Sequence, residues 1–281
     1  MKTMPQAGHG KSKKMKEKTA DSTGRKRLIQ QYYSRRARAY DSQKARTWKS
    51  NRGFGDEVFE GLFDSLEGLE DRPILEACIG TARTSLPLLE QVKPWLVGLD
   101  LSREMLEVAQ AKLSRYKERC NPIMSDAEHL PFRNGAFEAL ICTSAMHYFV
   151  SPEEILDEFS RILRAKGVFI IGDLTLHERD NRGFLNKLER TVSHAHGGYL
   201  RSSEIETMLN DHGFQVLSIK TIAYTKPFVS LIEDKAKYFG LKPETLNRCV
   251  REASADERKM YALGSDEFTL YYTLIKSEKE D

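Results

Sequence analysis

Apolar runs of strand length alternate with amphipathic stretches of helical length through the middle of the chain. The runs near Pro73–Cys78, Trp95–Leu99, Asn121–Met124, Ala136–Thr143 and Val168–Asp173 predict buried strands, and Arg83–Gln91, Arg103–Tyr116 and Pro152–Arg164 predict helices between them. Alternation at these lengths implies an α/β fold with a doubly wound, mostly parallel sheet and right-handed crossovers. Upstream, apolar and aromatic residues at helical spacing over Leu28–Tyr40, and a second segment around Asp56–Leu69, predict a helical cap over 28–70. Downstream, a loop and two helices follow Asp173, with Ser202 or Ser203 as an N-cap, and Gln215–Ile222 and Phe268–Ile275 then alternate as strands. The insertion between them, about Tyr224–Gly264, is too long for a hairpin loop and predicts helices of its own near Phe228–Phe239 and Pro243–Glu252.

Ligands of such sheets sit at the carboxyl ends of the strands, and acidic residues fall there. The first strand carries Glu76 and runs into a small-residue turn around Gly80; the second ends at Asp100, twenty positions after Gly80, where a carboxylate meets ribose hydroxyls. Asp126 and Thr143 lie at or just beyond the next strand ends. Helix capping accounts for Asp126 taken alone, but not for four such residues converging on one sheet edge. A dinucleotide fingerprint fits less well, because its third glycine would fall on Arg83, whose long side chain obstructs close packing of helix on strand.

Glu-Ala-Cys-Ile-Gly-Thr-Ala at Glu76–Ala82 resembles the acidic-x-Gly-x-Gly-x-Gly motif of class I S-adenosylmethionine-dependent methyltransferases. Asp100 with LSREML after it, SDAEHLPF from Ser125, and FEALICTSAMHYF with the following SPEEILDEFSRILRAKGVFIIGD resemble the second to fifth motifs of that family, in order, as far as Asp173. The nearest likeness is to the branch of the ubiquinone and menaquinone methyltransferases. The resemblance implies a seven-stranded Rossmann-like sheet whose last two strands form an antiparallel edge hairpin, with S-adenosyl-L-methionine as cofactor. It implies that Glu76, Ala77 and Gly80 serve the methionine portion and that Asp100, with Leu101, takes the ribose. Met105 would pack on the adenine, Asp126 and Ala127 would address its edge, and Thr143 would border the site from the next strand end. Two of the three loop glycines are replaced, by Cys78 and Ala82, and each Cβ then needs a compatible dihedral and a little extra room. The resemblance also implies that the N-terminal helices cover the cleft and that the insertion before the last strand is a lid or substrate wall. Tyr32, Tyr33 and Tyr40 are therefore candidate acceptor contacts, with ordinary packing as the alternative for each.

Transfer of a methyl group from a sulfonium needs mainly in-line positioning and exclusion of water, so a universal catalytic side chain is not expected. His147, just past the fourth strand, is the candidate general base, with local packing at a helix start as the alternative. His194 and His196 form an H-x-H pair on the segment beyond the fifth strand; no partner ligands accompany them, so they are read as substrate-wall residues and no metal is expected. The Asn/Asp-Pro-Pro-aromatic string of DNA amino-methyltransferases is missing, and Thr143-Ser144-Ala145-Met146 stands in its place. The expected acceptor is a small or lipophilic metabolite, quinone-like or related. RNA or protein methylation, and a non-catalytic binding protein on the same fold, are the alternatives.

Composition alters this picture at one end. A 40% hydrophobic share of 281 residues is enough for a buried core, and no apolar run is long enough to span a bilayer or to serve as a secretory leader, so a cytoplasmic location is expected. Cys78, Cys120, Cys142 and Cys249 form no CxxC pair and read as reduced thiols. Residues 1–30 hold nine basic and two acidic side chains, a charge of +7 against +3 for the whole, which leaves −4 for the rest. Residues 1–27 are accordingly read as a disordered basic tail that either solubilises the chain or attracts RNA or an anionic surface, and 71–281 as the cofactor-binding domain.

Overall fold

A computed structural model describes residues 23–42, 54–192, 196–228, 243–264 and 267–281. The strands are β1 (Pro73–Ala77), β2 (Trp95–Asp100), β3 (Cys120–Met124), β4 (Phe137–Thr143), β5 (Leu163–Thr175), β6 (Phe214–Pro227) and β7 (Glu267–Lys279). They form a seven-stranded sheet in the order β3-β2-β1-β4-β5-β7-β6, in which the first five are parallel and β7 runs antiparallel between β5 and β6. The helices are α1 over 23–42, α2 (Phe54–Asp64), α3 (Ser85–Gln91), α4 (Arg103–Leu113), α5 (Pro152–Ile162), α6 (Phe184–Val192), α7 (Ser202–Asp211), α8 (Pro243–Arg251) and α9 (Ala255–Met260).

The period of two along each strand distributes the core. Leu75 and Ala77 of β1, Leu140 and Cys142 of β4, and Phe169 and Ile171 of β5 face the apolar sides of α5 and α7, which contribute Phe159 and Leu209. Ile74, Ala139, Ile141 and Ile170 face the other way, onto Leu88 of α3 and Leu106, Ala109 and Leu113 of α4. Both faces are covered, as a parallel sheet requires, and burial of a side chain such as Phe159 stabilises by roughly 1.5–3 kcal/mol. Strand order reverses between β1 and β4, so the loops that leave them diverge at the carboxyl edge and open a crevice. A separate cluster around Tyr261 and Phe268 joins α6, α8 and α9 to the far ends of β6 and β7.

Four expectations change. Residues 23–27 already belong to helix α1 and are not tail; Lys26 is anchored between Asp126 and Glu128, partners too distant in sequence for local charge to reveal. Arg201 takes the N-cap of α7, while the hydroxyls of Ser202 and Ser203 donate to Glu178 at 2.6 and 2.7 Å. Strand β6 outlasts its alternating segment by continuing past the central sheet into the cluster around Phe268, and β7 by continuing in the other direction, where Lys276–Glu278 pair with Val168–Ile170 of β5. Among the described residues of the insertion, a helix that was not expected, α9, follows α8, started by a capping box in which Ser254 and Glu257 satisfy each other's backbone N–H. The helix expected over Phe228–Phe239 lies, after its first residue, outside the described residues, as do His194 and residues 1–22. No described helix is long and apolar enough to cross a membrane.

Candidate active site

The loop after β1 is built on a left-handed backbone. Cys78, Gly80 and Ala82 have φ of 58°, 55° and 60°, so the two residues that replace glycine keep the conformation glycine favours. A Cβ built on Gly80 meets only the Cys78 carbonyl, at 4.0 Å, which leaves the backbone open to a ligand. The Gly80 N–H donates to Asp100 Oδ2 at 2.9 Å and the Ser102 N–H to Oδ1 at 2.8 Å, so the carboxylate at the end of β2 is held from both sides with lone pairs to spare. Burial raises the pKa of Asp100, and these backbone donors offset part of the rise. Ser102 then caps α4 by accepting the Met105 N–H, which sets Met105 against the crevice.

One cleft is lined by Gly80, Asp100, Leu101, Met105, Asp126, Ala127 and Thr143, brought together from four strand ends. A held carboxylate, apolar walls at Ile79, Leu101 and Met105, and exposed backbone at Gly80 fit a ribonucleoside that carries an extended arm. Glu76 and Ala77 lie beneath this cleft and do not line it. Glu76 is 1% exposed and accepts the Ser85 hydroxyl in the first turn of α3. Burial pushes its carboxyl up to about 7, against the lowering effects of Ser85 and Arg83.

Helix α1 crosses the cleft and is fastened along its length. Lys26 pairs with Asp126 at 2.7 Å and with Glu128, Gln30 donates to the Leu101 carbonyl at 3.0 Å, and Asp41 accepts from the Thr81 hydroxyl at 2.6 Å and pairs with Lys112. Burial alone would lower the Lys26 pKa, but the two carboxylates outweigh it and raise it. Asp126, expected at the adenine edge, uses Oδ2 for Lys26 and Oδ1 for the Glu128 N–H at 3.1 Å.

Tyr33 and Tyr40 line the cleft from α1, together with Tyr148, whose ring lies 5.2 Å from that of Tyr33. Tyr32 does not line it and packs on Arg36 and Tyr33. His147 is not a lining residue either: its ring is buried beside Tyr148, Tyr199 and His196, with Nδ1 2.7 Å from Asp173 Oδ1. His196 Nε2 sits 3.1 Å from the Asn186 carbonyl oxygen Oδ1, and among the described residues no group of three potential ligands could hold a metal. Lys26, Arg83, Ser144 and Tyr148 line the cleft without having been singled out for it in the sequence. Asp173 was visible only as the last residue of an apolar strand.

The methyltransferase domain profile matches residues 74–167. Malonyl-[acyl-carrier protein] O-methyltransferase of Geobacter sulfurreducens is 28% identical over 159 residues, 54% of this chain and 59% of that protein. Demethylmenaquinone methyltransferase of Lactococcus lactis is 33% identical over 97 residues, 34% of this chain and 38% of that protein. The chain thus spans less than two thirds of either relative. The crystal structure of the YcgJ protein from Bacillus subtilis superposes with a TM-score of 0.72 at 21% identity, over 80% of this chain and 99% of that one.

Proposed function

The chain belongs to the class I S-adenosylmethionine-dependent methyltransferases, and from that premise we propose that it methylates a small, ring-bearing acceptor enclosed beneath α1. The observation that carries this reading is the roof: α1 lies across the cleft, and Tyr33, Tyr40 and Tyr148 wall the space beside it. A roof keeps water from the reacting centre and suits a molecule of limited size, whereas a folded RNA or protein would have to displace it. S-adenosylmethionine supplies a methyl group already activated by its sulfonium charge. In this reading Asp100 accepts from the ribose hydroxyls, Leu101 and Met105 flank the adenine, and Asp126 and Ala127 address its edge, with Lys26 sharing Asp126. Gly80 and Thr143 border the methionine arm, and Glu76, next to Ala77, braces the loop from below through Ser85. Tyr33 and Tyr40 bound the acceptor, and His147, outside the cleft lining, packs against Tyr148 behind that wall. The likeness to a demethylmenaquinone methyltransferase supports a quinone-like ring, which aromatic walls suit.

Titration calorimetry with S-adenosylhomocysteine, followed by transfer of labelled methyl to single-ring hydroquinols and to bulk RNA, tests this. Binding with transfer to hydroquinols is expected. Transfer to RNA with the small molecules inert would overturn the enclosed acceptor.

A further inference from the structure

The ion pairs that fasten the first turns of α1 leave one acceptor spare. Lys26 reaches two carboxylates, Asp126 through Oδ2 at 2.7 Å and Glu128 through Oε2. Both oxygens of Asp126 are engaged, because its Oδ1 accepts the Glu128 N–H at 3.1 Å. That bond closes a tight turn and sets Glu128 beside Asp126 at one end of the cleft, which Lys26, Asp126, Ala127 and Glu128 all line. Gln30, one helical turn beyond Lys26, donates to the Leu101 carbonyl, so Leu101 stands at the same end. Glu128 is 8% exposed, and its Oε1 is shielded from solvent and accepts no hydrogen bond. A buried carboxylate oxygen without a donor is costly, and folded chains keep few of them. One ammonium against two carboxylates leaves these three groups with one net negative charge, so the partner that Oε1 lacks is a hydrogen-bond donor and not an anion. The terminal torsion of a glutamate is broad, which lets the carboxylate turn an oxygen toward a molecule in the cleft while it keeps Lys26.

We propose that Glu128 determines specificity for the nucleobase by accepting the exocyclic amino group of adenine, and that Lys26 is the positioning residue that holds it there. This rests on the reading of the cleft as the S-adenosylmethionine site. Asp126, which the sequence resemblance sets at the adenine edge, then braces Lys26 and the turn and leaves the amine to the residue two places on. An amino group donates to Glu128, whereas a carbonyl at the same position of the base sets a lone pair against the carboxylate. A site built to bond a donor rejects the analogue that lacks it. Because Lys26 belongs to α1, the reading of the base depends on the roof as well as on the strand ends.

Titration calorimetry on the full chain compares S-adenosylhomocysteine with its inosine counterpart, in which a carbonyl replaces the amine. The wild type is expected to prefer the adenine form by at least ~10-fold. Glu128→Gln, whose amide can turn either its donor or its acceptor to the base, should bring that preference within about threefold. Asp126→Asn should keep most of it, Lys26→Met should lower it, and Lys26→Arg should restore it. A loss of packing alone weakens both ligands alike and leaves the ratio unmoved. Equal affinities in the wild type, an unchanged ratio in Glu128→Gln, or a ratio lost in Asp126→Asn and kept in Glu128→Gln would each overturn the proposal, and an unchanged ratio in Lys26→Met would overturn the part given to Lys26. Failure of both ligands to bind the wild type would instead overturn the cofactor reading beneath it.

Discussion

Single residues at the loop after β1 carry opposing physical effects of similar size. Ala82 is fully buried and sits at φ 60°, so a glycine there would relieve about 1 kcal/mol of left-handed strain and lose the burial of one methyl group, about 0.8 kcal/mol. Ala82→Gly should therefore leave stability within ~1 kcal/mol and cofactor affinity unchanged, as read by denaturant unfolding and calorimetry. A large loss would mean that the methyl is a specific packing element. Asp100→Ala should cost about 1.5–3 kcal/mol of S-adenosylhomocysteine binding, the range for hydrogen bonds to a charged group; normal binding would refute the ribose assignment. Glu76 gives a test in pH. Its folded pKa of about 7 lies above the ordinary 4.5, so its contribution to stability is fully present below 4.5 and is lost as pH rises through 7. Unfolding of the cofactor-free wild type at pH 5 and pH 8 should show a loss, on the order of 2–3 kcal/mol, that Glu76→Gln does not share. Gly80 and Asp100 were legible because their spacing is set by one local strand-turn-helix unit. Lys26 and Asp173 were not, because their meaning depends on partners 100 and 26 positions away.

At the scale of elements, what was legible is what a single period decides. Strands β1, β2, β4 and α5 fall where their apolar repeats predict, since Ile155, Leu156, Phe159 and Ile162 make one buried face and the central strands are mostly apolar. The onset of α1 was hidden because the basic residues of its first turn read as tail, and their value comes from the carboxylates they meet after folding. Lys26 is the test of that onset. Its removal leaves Glu128, 8% exposed, without a counter-charge. A fully buried pair would lose 3–5 kcal/mol, and the partial exposure of Lys26 reduces this to about 1–3 kcal/mol for Lys26→Met. The double variant Lys26→Met with Glu128→Gln should recover much of the loss. Hydrogen exchange should report faster opening of the first turns of α1 in the single variant. A Lys26→Met protein as stable as wild type would show that the helix is held by its other contacts, at Gln30, Tyr33, Ser34 and Asp41.

The whole molecule joins a sheet that has its own two-faced core to a roof that stands outside both of its clusters. Helix α1 contributes no residue to the two clusters that flank the sheet; among the described residues it meets the rest through the ring of Tyr33 against Tyr148 and the polar contacts of Lys26, Gln30, Ser34 and Asp41 along the cleft. An element attached this way opens more readily than the strands beneath it, which is how an acceptor could enter a covered site. A ligand seated between roof and sheet gains from both, so its binding energy should appear chiefly as resistance of α1 to opening. At S-adenosylhomocysteine 100-fold above its Kd, global stability should rise by about 2.7 kcal/mol. Amide exchange of 23–42 should slow by far more than that of β6 and β7, which pair with each other beyond the cleft. If α1 exchanges at the same rate with and without the ligand, the helix does not roof the cofactor, and the argument for a small enclosed acceptor loses its physical basis.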